Sequence, residues 1–157
     1  MARAAVRSAR EYFFQDEAGG GFLFDRASGR GRLASMGGRV TGIGGVFFRA
    51  RDPVALAEWY REVLGIGQPP DLWRQEAGFT VFAPFPADTD YFGRPEQAFM
   101  VNFRVEDLDG LLAALRARGI AVETRAEWDG EAGRFARIHD PEGNPLELWE
   151  PPPQGAV

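Results

Sequence analysis

Glu147 is the residue whose type and position in this sequence most clearly suggest chemistry. It lies between Leu146 and Leu148, and the alternation continues into Trp149, which is the period of a β-strand with two different faces. A carboxylate opposite an apolar row points either into solvent or into a polar cleft. In a cleft, Glu147 would accept a hydrogen bond from a ligand or, if desolvated beside Trp149 and Phe47, act as a general base.

A purely structural interpretation of the same carboxylate stays open. Residues 140–144 read Asp-Pro-Glu-Gly-Asn, a dense turn signal, because Pro presets φ, Gly accepts positive φ, and Asp or Asn can bond its own backbone. Such a turn should join two strands and bring Glu147 opposite Arg137, give or take one residue. A cross-strand ion pair between these two side chains would need no function.

Further candidates follow from the parity of two earlier stretches, 43–50 and 98–105. In each stretch one face is uniformly apolar and should pack on a helix, whereas the other face is mixed and should line a cleft. The residues predicted on this cleft side and taken as ligand-binding candidates are Phe47, Arg49, Met100, Asn102, Arg104 and Trp149.

Three of these candidates have chemistry of their own. Arg49 and Arg104 occupy equivalent positions, and two guanidinium groups converging on one cleft would suit a carboxylate or phosphate ligand. Alternatively, each arginine lies at the rim and pairs with a neighbouring acid. Asn102 is expected to be an interior amide, and a buried amide needs hydrogen-bond partners.

Composition limits the classes of function. The chain has 157 residues, enough for one domain with a hydrophobic core, and its net charge of -5 gives no basic footprint for nucleic acid. The sequence has no apolar run of about 18 residues, so no membrane span is predicted. The absence of Cys excludes disulfides and thiolate chemistry, and His139 has no nucleophile motif nearby for a catalytic triad. We therefore expect a cytoplasmic protein that does not bind nucleic acid or a membrane.

The elements that must position these side chains occur as a repeat. Asp52 followed by Pro53 predicts the start of a helix and Gly65 its end, and Asp107 and Gly119 bound a second amphipathic helix in the same way. Aligning Asp52 with Asp107 also aligns the strands that precede them. The chain therefore contains two copies of a strand, helix and further strands, each of about 55 residues.

The remaining segments complete the two copies. Two short runs, 72–75 and 79–82, read as a hairpin, and strands are predicted near 121–124, 134–139 and 146–150. The loop 84–93 contains Phe85, Tyr91 and Phe92, which would either close over the cleft, form a dimer contact or simply pack.

The predicted domain organisation is simple. Residues 1–38, rich in Arg and Gly, form an N-terminal extension that is flexible or folds as a hairpin. Residues 39–152 form a single domain, with units of 41–95 and 96–150. Residues 153–157 are a Pro-containing tail, expected to be loose.

The closing turn, the strand after it and the internal repeat resemble the vicinal oxygen chelate superfamily, which includes glyoxalase I, the bleomycin-resistance proteins and the extradiol dioxygenases. The resemblance covers residues 41–150. It implies an α+β domain of two paired βαβββ units that form a curled mixed sheet around a cleft, with the helices outside. It also implies a homodimer.

The resemblance further implies where a metal would be bound. In metal-dependent members the ligands lie on four strands, and Glu147 holds the last of these positions. The other three fall on Gly45, near Phe82 and on Met100, none of which provides a usual ligand. One carboxylate cannot hold a divalent ion where about three protein ligands are usual, so we predict no metal or other cofactor.

The functional hypothesis follows from the resemblance and this loss. We expect a glyoxalase-like or bleomycin-resistance-like protein that binds a small organic ligand beside a degenerate metal site. An anionic ligand is one alternative within this hypothesis. The alternative is a metal-dependent lyase, isomerase or dioxygenase that uses Glu147. If the protein is an enzyme, Glu147 is the catalytic candidate.

Overall fold

The computed structural model describes residues 39–67 and 72–153. The described residues fall into two compact units, 39–49 and the part of the chain from residue 50 onward. The predictions made for residues 1–38, and for the tail beyond residue 153, lie outside the described residues.

Both helices have the ends predicted from their capping residues. Helix α1, Pro53–Leu64, begins at Asp52, whose carboxylate accepts a backbone N–H of the first turn, and ends at Gly65 in the left-handed region. Helix α2, Leu108–Ala117, begins at Asp107, which caps its first turn in the same way. The two helix predictions are confirmed because capping depends on residues next to the helix in sequence.

A three-stranded mixed sheet makes up the rest of the regular structure. It contains β1 (Val101–Arg104), β2 (Arg134–His139) and β3 (Pro145–Glu150) in the order β1-β3-β2. Strand β3 is parallel to β1 and antiparallel to β2. The molecule is therefore α+β with a small open sheet and two helices.

The register of the sheet sets its two faces. Glu147 pairs with Asn102 on one side and with Arg137 on the other, so these three side chains share one row and one face. The next row, Leu148 with Phe103, faces the opposite way. The parity predicted from the sequence is thus confirmed for this half of the chain.

The opposite face of the sheet is the core, where it packs against both helices. Each fully buried Leu or Ile side chain stabilises the fold by about 1.5–3 kcal/mol. The buried residues of this cluster are Leu56, Tyr60, Leu108, Leu112, Leu115, Ala136, Ile138, Leu146 and Leu148.

Three predicted strand regions lack a ladder in the described structure. Residues 43–50 and 72–82 have no regular secondary structure, and in 121–124 only Glu123 forms a bridge, to Arg137. Alternation of apolar and polar residues indicates that a segment has two different faces. A β-strand also needs a second segment that pairs with its N–H and C=O groups. The pairing of two βαβββ units therefore stays a prediction.

The turn after β2 is tied to helix α1 through Asp140. This buried carboxylate accepts the N–H groups of Glu142 and Asn144, both at 2.9 Å, and the side-chain amide of Asn144 at 2.7 Å. Tyr60 of α1 donates its hydroxyl to the same carboxylate at 3.0 Å. Burial, strengthened by the charge of Asp140, raises the pKa of Tyr60 above its ordinary value, so the phenol stays protonated as a donor.

In the ranges 39–67 and 72–153, no helix combines the length and the apolar character that crossing a membrane would require.

Candidate functional site

Glu147 is buried on the sheet face away from the helices. Its residue exposure is 4%, and its two carboxylate oxygens have separate donors. The side-chain amide of Asn102 donates to Oε2 at 2.7 Å, and the hydroxyl of Tyr91 donates to Oε1. Charge-assisted hydrogen bonds of this kind offset the cost of burying a carboxylate.

Tyr91 reaches Glu147 because the loop 84–93 folds back over the sheet. Its ring stacks on Phe85, with centroids 5.3 Å apart and planes 18° apart, and its edge meets Phe92 at 6.3 Å. A turn at the end of the loop closes at Gly93, whose positive φ of 88° suits glycine. Burial, followed by the charge and hydrogen bond of Glu147, raises the pKa of Tyr91 well above its ordinary value.

Arg137 lies directly opposite Glu147 on β2, yet the described structure contains no ion pair between them. The guanidinium carbon instead lies 4.8 Å from the ring centroid of Tyr91 and 5.2 Å from that of Trp128. The predicted register is thus confirmed, whereas the ion pair, which was one of the two interpretations left open for Glu147, does not form among the described residues. Glu147 obtains its donors from Tyr91 and Asn102 instead.

The guanidinium of Arg137 is incompletely satisfied. Its Nε and Nη2 atoms are buried and have no hydrogen-bond acceptor among the described residues. A buried donor without an acceptor costs about 1–3 kcal/mol. The arginine is therefore held by contacts with two aromatic rings, while part of its hydrogen-bonding capacity is unused.

These contacts continue into a stacked column. Trp128 belongs to a short 3-10 turn, Ala126–Trp128, and Arg125 lies 5.0 Å from its ring centroid. The column thus consists of five side chains, each in contact with the next. Its first four members alternate between an arginine and an aromatic ring. Its members are Arg125, Trp128, Arg137, Tyr91 and Phe85.

Two predicted ligand-binding residues on β1 have different surroundings from those expected. Asn102 is exposed rather than interior, because β1 is an edge strand of the sheet formed by the described residues, although its amide still reaches Glu147. Arg104 donates to the backbone carbonyls of Glu76 at 2.6 Å and Phe79 at 2.8 Å. It therefore holds a neighbouring loop.

Trp149 is buried beside Glu147 and has structural partners of its own. Its indole N–H donates to the carbonyl of Ala132 at 2.7 Å, and its ring stacks on Phe135 with centroids 6.3 Å apart. Trp149 thus packs beneath the segment that leads into β2.

Met100, the residue before β1, is half-buried.

Phe47 and Arg49 belong to the separate unit of residues 39–49. Both are exposed there, and Phe47 is 95% exposed. Their role as ligand-binding residues stays a prediction.

The donors around Glu147 do not fit a divalent metal ion. Both carboxylate oxygens accept hydrogen bonds, and the adjacent groups are an amide, a phenol and a guanidinium, whose positive charge would repel a cation. His139 is exposed at the end of β2, where it pairs with Pro145. Within 39–67 and 72–153 no group of three or more His, Cys, Asp or Glu side chains could hold a metal.

Sequence reasoning did not identify Trp128 as a site residue and did not connect Tyr91 with Glu147. Tyr91 is separated from Glu147 by 56 positions, and no spacing rule links them. The available signal was the density of aromatic residues in 84–93, which exceeds what a solvated loop needs.

Comparison with known proteins gives one family match. A family model described as a glyoxalase-like domain matches residues 45–149. Among solved structures, the chain is similar to TnmS3, an antibiotic binding protein from Streptomyces sp. CB03234. The two are 29% identical over 64% of this chain and 88% of that chain, with a TM-score of 0.41.

A second similar structure is a glyoxalase/bleomycin resistance protein from the same organism. It is 29% identical over 63% of this chain and 91% of that chain, with a TM-score of 0.40. No protein with a curated function matches the sequence.

Proposed function

The chain belongs to the glyoxalase-like family, and from that premise we propose that it binds a small organic ligand at the sheet face around Glu147. The ligand carries an acidic or carbonyl oxygen, and no metal ion takes part in its binding. The Nε and Nη2 atoms of Arg137, which are buried without acceptors, are the observation that carries this proposal.

The two charged groups of the site have different capacities for a ligand. Glu147 is already satisfied by Asn102 and Tyr91, so its role is to hold these two side chains in place. Arg137 still has donors to offer, and an acceptor that reaches them recovers the free energy of unsatisfied donors, about 1–3 kcal/mol. Because the acceptors of Glu147 are occupied and donors of Arg137 are unused, the site favours an anionic or carbonyl-bearing ligand over a cation.

The surroundings of Arg137 also support a small-molecule site. Sites for small molecules are mostly apolar and aromatic, with a few placed polar groups that orient the ligand. Here the rings of Tyr91 and Trp128 contact the guanidinium. The ring of Phe85 packs on those of Tyr91 and Phe92. The same loop that provides three of these rings also reaches Glu147.

The residues predicted on the cleft side enter the proposal with different weights. Asn102 is the strongest, because it is exposed and lies within hydrogen-bonding distance of Glu147. Arg104 and Trp149 already have backbone partners and would position their neighbours. Met100 is proposed to complete the binding surface, and a ligand-binding role of Phe47 and Arg49 stays a prediction for their own unit.

The proposal keeps the larger assembly implied by the family. Two βαβββ units paired around a cleft, and a homodimer of such chains, would give the sheet face around Glu147 an opposite wall. Glu147 would be the acid–base residue if the bound molecule is also transformed.

The test compares an acid with its uncharged amide. We expect isothermal titration calorimetry to show binding of 2-naphthoate and at least about tenfold weaker binding of 2-naphthamide, because hydrogen bonds to a charged acceptor contribute about 1.5–3 kcal/mol. Arg137→Gln should abolish this preference. Arg61→Gln, an exposed arginine on α1, is the matched control and should keep it.

Equal affinities for acid and amide, or an unchanged preference in Arg137→Gln, would contradict the proposal. Elemental mass spectrometry of the purified protein tests the metal-independent part. A stoichiometric metal that is lost in Glu147→Gln would replace this proposal with a metal-dependent lyase, isomerase or dioxygenase.

A further inference from the structure

We infer that the cavity between helix α2 and the segment 124–129, called the α2 cavity below, is a second ligand site and takes a small organic carboxylate. Its volume is about 250 Å³, and the first two residues of β2 also line it. Glu147, Tyr91, Asn102 and Arg137 do not line it. The inference therefore goes beyond the proposed function and does not depend on it.

The apolar part of the α2 cavity is formed by three buried side chains. Leu108 and Leu112 lie four residues apart on one face of α2 and are 2% and 3% exposed, and Phe135 of β2 is 4% exposed. The volume of about 250 Å³ is below the roughly 300–1,000 Å³ of sites for drug-sized ligands, so a molecule with a single ring is a suitable size. An organic body in contact with these side chains is removed from water, which a bare inorganic ion cannot achieve.

The acidic residues of the α2 cavity already have donors. Both carboxylate oxygens of Asp109 accept hydrogen bonds from Arg134, at 2.6 and 3.0 Å. One carboxylate oxygen of Asp129 accepts the backbone N–H of Phe135 at 3.2 Å. A cationic ligand would have to compete with these donors, so the acidic residues give it little advantage.

Two arginines on different walls of the α2 cavity provide donors for an anion. Arg116 follows Leu112 by one turn of α2, and Arg125 belongs to the segment 124–129. Neither guanidinium forms a hydrogen bond or an ion pair with a described residue, although Arg125 contacts the ring of Trp128. Guanidinium groups bind carboxylates through paired N–H donors. A carboxylate can therefore be bound here without displacing a side chain from an existing ion pair.

Heteronuclear NMR titration of the full native chain tests the site with three probes: benzoate, its uncharged analogue benzamide, and inorganic phosphate. We expect benzoate to cause saturable shifts of the backbone amides of Leu112, Arg125 and Ala126. Benzamide and phosphate should bind there at least about threefold more weakly, since ion pairs of exposed arginines contribute modestly. The amides of Asn102 and Glu147 report separately on the sheet face.

Variants of lining residues locate the binding. Arg116→Gln combined with Arg125→Gln should weaken benzoate at least about threefold, down to the affinity of benzamide. Ala126→Leu should abolish the shifts, because the larger side chain takes up volume of the α2 cavity. The matched controls are Ala113→Leu, exposed on α2 and not lining the cavity, and Arg61→Gln on α1, and both should keep native binding.

The absence of saturable shifts at Leu112, Arg125 and Ala126, or benzoate binding that survives in Ala126→Leu, would overturn the second site. Benzamide or phosphate binding as tightly as benzoate would overturn the organic carboxylate as its ligand class. Arg137→Gln should leave the shifts at the α2 cavity unchanged while it removes the preference for acids at the sheet face. Either site can therefore fail without the other.

Discussion

Glu147 is buried and forms no ion pair with any of the described residues, although an arginine lies opposite it on the neighbouring strand. A buried carboxylate costs several kcal/mol unless hydrogen bonds or a charge compensate it. Tyr91 and Asn102 provide this compensation from a loop and an edge strand. Consequently Arg137 keeps donors for another acceptor.

A double-mutant cycle tests this arrangement at the scale of single residues. Tyr91→Phe keeps the ring but removes one donor from a buried carboxylate, so the free energy of unfolding should fall by about 1–3 kcal/mol. Glu147→Gln should also destabilise the protein. We expect the combined loss in urea denaturation to be smaller than the sum of the two, because both changes remove one interaction. Strict additivity would show that the two side chains do not interact in solution.

The turn 140–144 acts at the scale of elements, since it fixes the start of α1 against the sheet. The carboxylate of Glu142 accepts the N–H of Arg51, with distances of 2.8 and 2.9 Å to its two oxygens, and the N–H of Asp52 at 2.9 Å. These backbone hydrogen bonds, from Asp52 first and then Arg51, lower the pKa of Glu142 below its ordinary 4.5. A residue of the turn thus holds the backbone that precedes α1.

The lowered pKa predicts a pH dependence of stability. A carboxyl group with a lower pKa in the folded state stabilises the protein above its unfolded pKa, and this contribution is lost as the pH falls through the folded value. Between about pH 5 and pH 3 the free energy of unfolding should therefore fall less steeply in Glu142→Gln than in the native protein. Urea denaturation at several pH values measures both slopes. Glu96→Gln, an exposed control, should follow the native curve, and identical slopes for all three proteins would contradict the prediction.

Gly133 determines how β2 meets β3. Its φ of 112° is unfavourable for other residues, and an added Cβ would overlap the carbonyl oxygen of Glu150 and lie 2.8 Å from the indole nitrogen of Trp149. Gly133→Ala should therefore lower the free energy of unfolding by at least about 3 kcal/mol. Gly65→Ala shares the positive φ but meets no atom, so it should cost only about 1–2 kcal/mol. Equal losses in thermal unfolding would show that backbone strain alone decides the effect.

At the scale of the whole molecule, large apolar side chains on the segment before β1 are exposed. Phe79 is 76% exposed and Phe82 is 90% exposed, and β1 is an edge strand of the described sheet. Exposed apolar surface and unpaired strand edges are typical of association sites. These features support the proposed homodimer.

Sedimentation velocity tests self-association directly. We expect a concentration-dependent dimer in the native protein, and Phe79→Lys with Phe82→Lys should shift it toward the monomer. Val54→Lys is the matched control, because Val54 is 77% exposed but lies on α1, and it should leave the dimer intact. A monomer at all concentrations would exclude the proposed homodimer.

The part of the fold that could be read from the sequence depends on neighbouring residues. Asp52 and Asp107 mark the starts of the two helices, because each capping side chain accepts a backbone N–H of the turn that follows it. Gly65 marks the end of the first helix, because it adopts the left-handed conformation after the last turn. The turn 140–144 likewise fixes the register that places Arg137 opposite Glu147. These features lie within a few residues of their signals.

The tertiary structure decided how the site is filled. The contact of Tyr91 with Glu147, and the contacts of Arg137 with the rings of Tyr91 and Trp128, join segments that are distant in sequence and carry no shared period. Within the described residues, the stretches 43–50 and 72–82 form no ladder although strands are predicted in both, since a residue pattern describes one chain segment whereas a ladder requires a second. The sequence by itself therefore determined the helices, the closing hairpin and the face on which Glu147 lies. Only packing in three dimensions determined the partners of Glu147 and left donors of Arg137 unused, because Tyr91 comes from a loop and Asn102 from a strand, both distant in sequence, and no local rule brings either to Glu147.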